Sequence, residues 1–189
     1  MTTALLIIDV QQALCFGEYA AFEATRVIDR INLVSDRCRN ACIPVILIQH
    51  ETSDGPLQFN ADGWQLPSGL HVAPSDIRVR KRTPDSFLDT DLLSILTSVG
   101  VSELIICGLQ SEFCVDTTTR RSLALGFPVT LIADGHSTVD NSVLAAAQIT
   151  AHHNETLANI SSFGPRVRVM PAAEILAAGR PPVATALRE

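Results

Sequence analysis

The sequence lacks the signatures of several large function classes. No basic stretch exceeds the cluster Arg78, Arg80, Lys81, Arg82, and the formal net charge is −6, so neither nucleic acid nor an anionic membrane surface is an expected partner. Apolar runs stay far below the ~20 residues that cross a bilayer. The first residues enter a strand-like run without a basic leader or cleavage site. The cysteines Cys15, Cys38, Cys42, Cys107 and Cys114 are an odd set with no C-x-x-C spacing. Together these absences point to a reduced, cytoplasmic protein. Neither a phosphate-loop lysine motif nor G-x-G-x-x-G occurs, which removes the common nucleotide cradles.

What is present suits a single domain over residues 1–189, with 47% hydrophobic content, enough for a sizeable core. Ala4 to Ile8 is an unbroken apolar run ending in Asp9, too short for a helix and not alternating, which fits a parallel strand buried on both faces. Glu18 to Ala41 carries Ala24, Val27, Ile28, Ile31, Val34 and Cys38 at helical spacing. Further strands are read at Pro44–Gln49, Ile77–Arg80, Glu103–Cys107, Pro128–Ala133 and Val167–Met170. Helices are read at Asp89–Val99, Cys114–Leu125, from about Asn141, and briefly from Ala172, before a Pro-containing tail expected to be mobile. Glu51–Asp76, rich in Gly, Pro, Ser and Asp, reads as a long loop with at most short structure, of the kind that borders a site. Strands alternating with helices imply an α/β fold with a parallel sheet covered on both faces.

In such sheets ligands bind beyond the carboxyl ends of the strands, where Asp9, Lys81 and Cys114 all fall. The pattern reads as a cysteine nucleophile, a carboxylate to take its proton, and a cation to steady both. Cys114 is placed at the start of a helix, where the dipole and unpaired N–H groups favour thiolate, so it is expected to alkylate faster than the other cysteines near neutral pH. Phe16, Trp64, Phe87 and Phe113 are candidate pocket walls, Phe113 equally a core residue, with His50 and Glu112 as polar contacts. Cys38 and Cys42 read as packing and turn residues, and His136, His152 and His153 as structural or exposed. An aspartate closing a first strand also marks haloacid-dehalogenase-type phosphatases, but Gln11 stands where their second acidic residue is needed.

The segments ALLIIDVQ, RKRTPDSF and ICGLQSEFCVDTTTRRSLALGFPVTLIAD, with HHNETLANI further on, closely resemble the isochorismatase-like cysteine hydrolases, the superfamily that includes nicotinamidase and N-carbamoylsarcosine amidohydrolase. The resemblance implies a three-layer αβα fold with a six-stranded parallel sheet in the order 3-2-1-4-5-6, and Asp9, Lys81 and Cys114 as its catalytic triad. It also implies a cis peptide between Leu109 and Gln110, with the N–H groups of Gln110 and Cys114 forming an oxyanion hole. The expected activity is hydrolysis of a small amide-type C–N bond through a Cys114 thioester, by a homo-oligomer without cofactor. Nicotinamidases carry an Asp and several His as metal ligands after the second strand. This chain offers only His50, Glu51 and the distant His71, so no metal is expected. Isochorismatases that cleave a vinyl ether lack the cysteine. Vinyl-ether hydrolysis and a catalytically silent binding or assembly module of the same fold are the alternatives.

Overall fold

A computed structural model describes residues 2–176; the Pro-containing tail lies outside the described residues. In chain order the elements are β1 (Thr3–Ile8), α1 (Gln12–Cys15), α2 (Ala24–Asn40), β2 (Val45–His50), β3 (Ile77–Lys81), α3 (Leu92–Ser98), β4 (Glu103–Leu109), α4 (Asp116–Ala124), β5 (Val129–Ser137), α5 (Ala146–Asn159) and β6 (Val167–Met170). The strands form one parallel sheet in the order β3-β2-β1-β4-β5-β6. Alternation along β1 divides the core: Leu5 and Ile7 pack with Val27, Ile31 and Val34 of α2 on one face. Ala4, Leu6 and Ile8 pack with Leu92 and Leu96 of α3, Leu123 of α4 and Leu157 of α5 on the other. The central strands are apolar over most of their length because both faces are covered. No helix among the described residues is long and apolar enough to cross a membrane.

Several boundaries differ from the sequence reading, each for a local reason. The helix expected from Glu18 begins only at Ala24, because Gly17 and Glu23 are left-handed (φ 98° and 51°) and the Ala21 and Phe22 N–H groups are committed to Leu14 and Thr138 carbonyls. The helix expected from Asp89 starts at Leu92, since Asp89 is left-handed too (φ 54°). The helix expected from about Asn141 starts at Ala146. The strand placed at Pro128–Ala133 runs on to Ser137, and its pairing slips: Ile106 faces Leu131, yet Gly108 faces His136. That bulge carries His136 inward beneath the turn that follows β4. Residues 51–76 hold only a short 3-10 turn at Asp62–Trp64 and one isolated bridge, Thr52 with Gln58.

Candidate active site

Four strand ends converge on the site. Asp9 leaves β1 at φ 52°, a left-handed conformation that aspartate adopts more readily than most residues. His50 and Lys81 close β2 and β3 and lie in register with each other. Beside them β1 and β4 approach so closely at Gly108 that a Cβ there would run into the Ile8 carbonyl, which is why this position (φ 120°) needs glycine. The Leu109–Gln110 peptide is cis. The chain then enters a π-helical turn, Ser111–Val115, in which the Phe113 and Val115 N–H groups both donate to the Gln110 carbonyl. Cys114 therefore sits within this turn, with the α-helix starting two residues later.

The Lys81 ammonium is the hub. Its side chain is wholly buried, and Nζ donates to Asp9 Oδ2 at 2.7 Å, to the Thr83 carbonyl at 3.1 Å and to Cys114 Sγ at 3.1 Å, with His50 Nδ1 at 3.2 Å. The donor atoms of Asp9, His50 and Cys114 all lie within 4.8 Å of one another. The second carboxylate oxygen, Asp9 Oδ1, is buried with no hydrogen-bond partner.

Burial governs the ionisation of this cluster. Burial alone would lower the Lys81 pKa, but the charge of Asp9, with Cys114 behind it, outweighs that and holds it above the ordinary value. Burial and then the Asp9 charge push the Cys114 thiol up to about 12, against the pull of Lys81. This runs against the expectation of a resting thiolate: burial and the Asp9 charge favour the thiol over what Lys81 offers the thiolate. His50 is shifted down by burial and by the Lys81 charge, partly offset by Asp9, the Thr83 carbonyl and Glu51.

The proposed pocket residues separate. His50 joins the cluster of Asp9, Lys81 and Cys114. Phe16 and Phe113 are exposed, at 42% and 53%, so Phe113 is not a core residue. Phe87 is core, packed beside Val115 and stacked on Phe127 at 6.4 Å between centroids. Trp64 is buried as well, its ring edge-on to Phe59 at 5.0 Å. Glu112 is half-buried, with Oε2 enclosed and without a hydrogen-bond partner. Cys38 is buried and Cys42 exposed. A groove of about 600 Å³ runs along β3, lined by Arg78, Arg80, Lys81, Arg82 and Thr83 but not by Asp9 or Cys114, so cavity size alone does not locate the chemistry.

Two buried residues make contacts that the sequence reading did not specify. Gln11 donates through Nε2 to the His50 and Trp64 carbonyls (3.0 Å each) and accepts the His50 N–H at 2.9 Å, tying the end of β2 to the long loop. His136, read only as structural or exposed, is enclosed and linked to Ser111 Oγ at 2.8 Å and Asn154 Oδ1 at 3.0 Å. A lone glutamine or histidine has no spacing signal that reveals such contacts.

Among the described residues, Asp9, His50 and Cys114 alone bring three potential ligand atoms together. They do not fit a resident metal ion, because a buried ammonium lies within 3.2 Å of a ligand atom on each, placing a positive charge where the ion's own charge would stand. His71 is instead paired with Asp36 at 2.9 Å, and Glu51 with Arg82 at 2.8 Å.

Known proteins resemble this chain in sequence and in fold. The chain is 35% identical to a streptothricin hydrolase of Streptomyces noursei over 97% of its own length and 67% of the relative's. A second streptothricin hydrolase of that organism is 38% identical over 72% of this chain and 55% of its own length, so the chain spans little more than half of it. A crystal structure of an isochorismatase family protein superposes with a TM-score of 0.81 at 35% identity, covering 89% of this chain and 97% of that one. The Isochorismatase domain matches residues 3–163, and the chain belongs to the isochorismatase family of hydrolases.

Proposed function

We propose that the protein hydrolyses the C–N bond of a small, non-peptide amide-type substrate in the cytoplasm, with Cys114 as nucleophile, Asp9 as proton acceptor and donor, and Lys81 as the buried cation between them. The observation that carries this reading is the single ammonium in contact with both Asp9 Oδ2 and Cys114 Sγ. The open oxygen Asp9 Oδ1 is free to take the thiol proton. As that proton leaves, the sulfur attacks the substrate carbonyl carbon and negative charge moves onto the carbonyl oxygen. The N–H groups of Gln110 and Cys114 receive it, each worth about 3 kcal/mol in acyl transfer. Collapse breaks the C–N bond, the amine leaves with the proton from Asp9, and an acyl thioester remains. Water then attacks with Asp9 again accepting a proton, the acid departs, and the proton returns to the sulfur.

Relatives named streptothricin hydrolase and, at 27% identity over 85% of this chain, nicotinamidase 3 of Arabidopsis thaliana support amide-type chemistry. The test is an amine-release screen over small amides, carbamoyl compounds and lactams, with Cys114→Ala alongside. Release by the wild type and none by the variant is expected. Turnover by Cys114→Ala near the wild-type rate would remove the covalent mechanism, and silence of the wild type across the screen would favour a binding module.

We also infer a homo-oligomer. Phe16, Tyr19, Phe22 and Phe113 are exposed on segments that follow β1 and β4, the strands whose ends carry Asp9 and the Cys114 turn. Sedimentation at micromolar concentration should give a dimer or larger; a single species near the 20.3 kDa chain mass would refute it.

A further inference from the structure

An ammonium has three hydrogens, and Lys81 Nζ has four acceptors around it. The charged Asp9 oxygen is nearest at 2.7 Å, and the Thr83 carbonyl at 3.1 Å is fixed main chain. One hydrogen is left for two acceptors at nearly equal distance, Cys114 Sγ at 3.1 Å and His50 Nδ1 at 3.2 Å. A thiol is a weak acceptor and an imidazole nitrogen a good one, whereas a thiolate outcompetes either neutral group.

We propose that His50 and Cys114 share this one Lys81 N–H, with His50 holding it while the sulfur is a thiol and yielding it when the thiolate forms. His50 is thus a positioning residue that acts through Lys81 and sets how readily Cys114 ionises. The arrangement needs a neutral ring with a bare Nδ1, because a proton there would face the ammonium's own hydrogens. Burial and the Lys81 charge oppose protonation of the ring, against Asp9, the Thr83 carbonyl and Glu51, which favour it, and Cys114 is its remaining polar neighbour. The role is separable from the fold, since Gln11 holds the His50 backbone through both its N–H and its carbonyl, and neither contact uses the ring.

The inference deepens the reading of Cys114 as nucleophile, but its test needs no substrate, so its failure would leave amide hydrolysis standing. Iodoacetamide labelling of Cys114, located by peptide mass analysis, is followed between pH 6 and 10 in a Cys42→Ser background. His50→Leu fills the ring's place without an acceptor, and His50→Asn restores one. Labelling by His50→Leu should rise about tenfold at pH 7.5, equivalent to about one unit off the thiol pKa, and His50→Asn should return most of the way to the parent rate. A His50→Leu rate at or below the parent's would overturn the proposal. Equal acceleration in both variants would overturn it too, since access to the sulfur would then be the cause. Should the leucine variant not fold, ring ¹⁵N shifts of the wild type at pH 7.5 decide: a bare Nδ1 with the proton on Nε2 is required, and a proton on Nδ1 refutes it.

Discussion

His50 and His136 are both held below the ordinary histidine pKa, chiefly by burial, and both flank the turn that carries Cys114. Their surroundings differ in kind. Asn154 Oδ1 can only accept, so His136 Nε2 donates to it and Nδ1 accepts from Ser111 Oγ. The chain closes where Asn154 Nδ2 donates to the Ala133 carbonyl at 2.9 Å. Both ring nitrogens are used and the linked partners are neutral. Around His50 the partners are charged, acceptors outnumber hydrogens, and Asp9 Oδ1 is left unused. The satisfied network fixes the turn in place; the unsatisfied one leaves room for a proton to move.

Removing the hub should give the largest effect. Lys81→Ala leaves the buried Asp9 carboxylate uncompensated, costing about 3–5 kcal/mol of stability, and lowers hydrolysis on the order of 1000-fold. Denaturant unfolding and kcat/KM check the two together, and a stable, active variant would show that Lys81 is dispensable.

The His136 side of the comparison should respond in stability first. His136→Phe removes a donor and an acceptor from buried partners and should cost about 2–3 kcal/mol at pH 7.5. Its pH dependence has a definite sign. The folded pKa is lowered to about 4 by burial, partly offset by the Asn154 hydrogen bond, against about 6.5 unfolded, so between those values the unfolded chain binds a proton that the native ring refuses. The wild type therefore loses about 3 kcal/mol from this group as pH falls from 6.5 to 4, and the phenylalanine variant does not. Its deficit should shrink with acidification in denaturant melts at pH 7.5, 5.5 and 4.5. A constant gap would mean that the ring is not the titrating group.

The smallest effect is an order of labelling. With its thiol pushed up to about 12, Cys114 is almost wholly protonated at pH 7.5. Exposed Cys42 should therefore react with iodoacetamide first and Cys114 more slowly, gaining as pH rises. The buried Cys15, Cys38 and Cys107 should react only on unfolding. Labelling of Cys114 ahead of Cys42 would restore the resting thiolate.

The strands were legible in the sequence because burial on both faces leaves unbroken apolar runs, and the polar residues that end those runs, Asp9, His50 and Lys81, mark the carboxyl edge directly. Helix starts were less legible. The backbone at Glu23 and Asp89 turns left-handed, and periodicity does not register that. The π-helical turn placed Cys114 differently from the helix start inferred from spacing, and the ionisation expectation failed with it. Dipole arguments are local, whereas desolvation depends on everything packed around the sulfur. His136 was read as structural or exposed and proves structural, but its partners and those of Gln11 were illegible for a related reason: a three-residue slip in β5 and a side chain spanning two carbonyls exist only once the sheet is assembled.

The Trp64 carbonyl receives hydrogen bonds from both Gln11 and Gln49, making it a mooring point for the long loop over residues 51–76. Both glutamines sit on the scaffold, beside Asp9 and His50. The loop is thereby divided into two spans, 52–63 and 65–76, and the second is tied to α2 again where Asn32 binds the Gly69 carbonyl and the His71 N–H and where Arg39 meets Asp76. A loop exchanged between related chains would therefore have to carry these second anchors as well as the tryptophan and its two glutamines, so the span before Trp64 and the span after it are not equally replaceable.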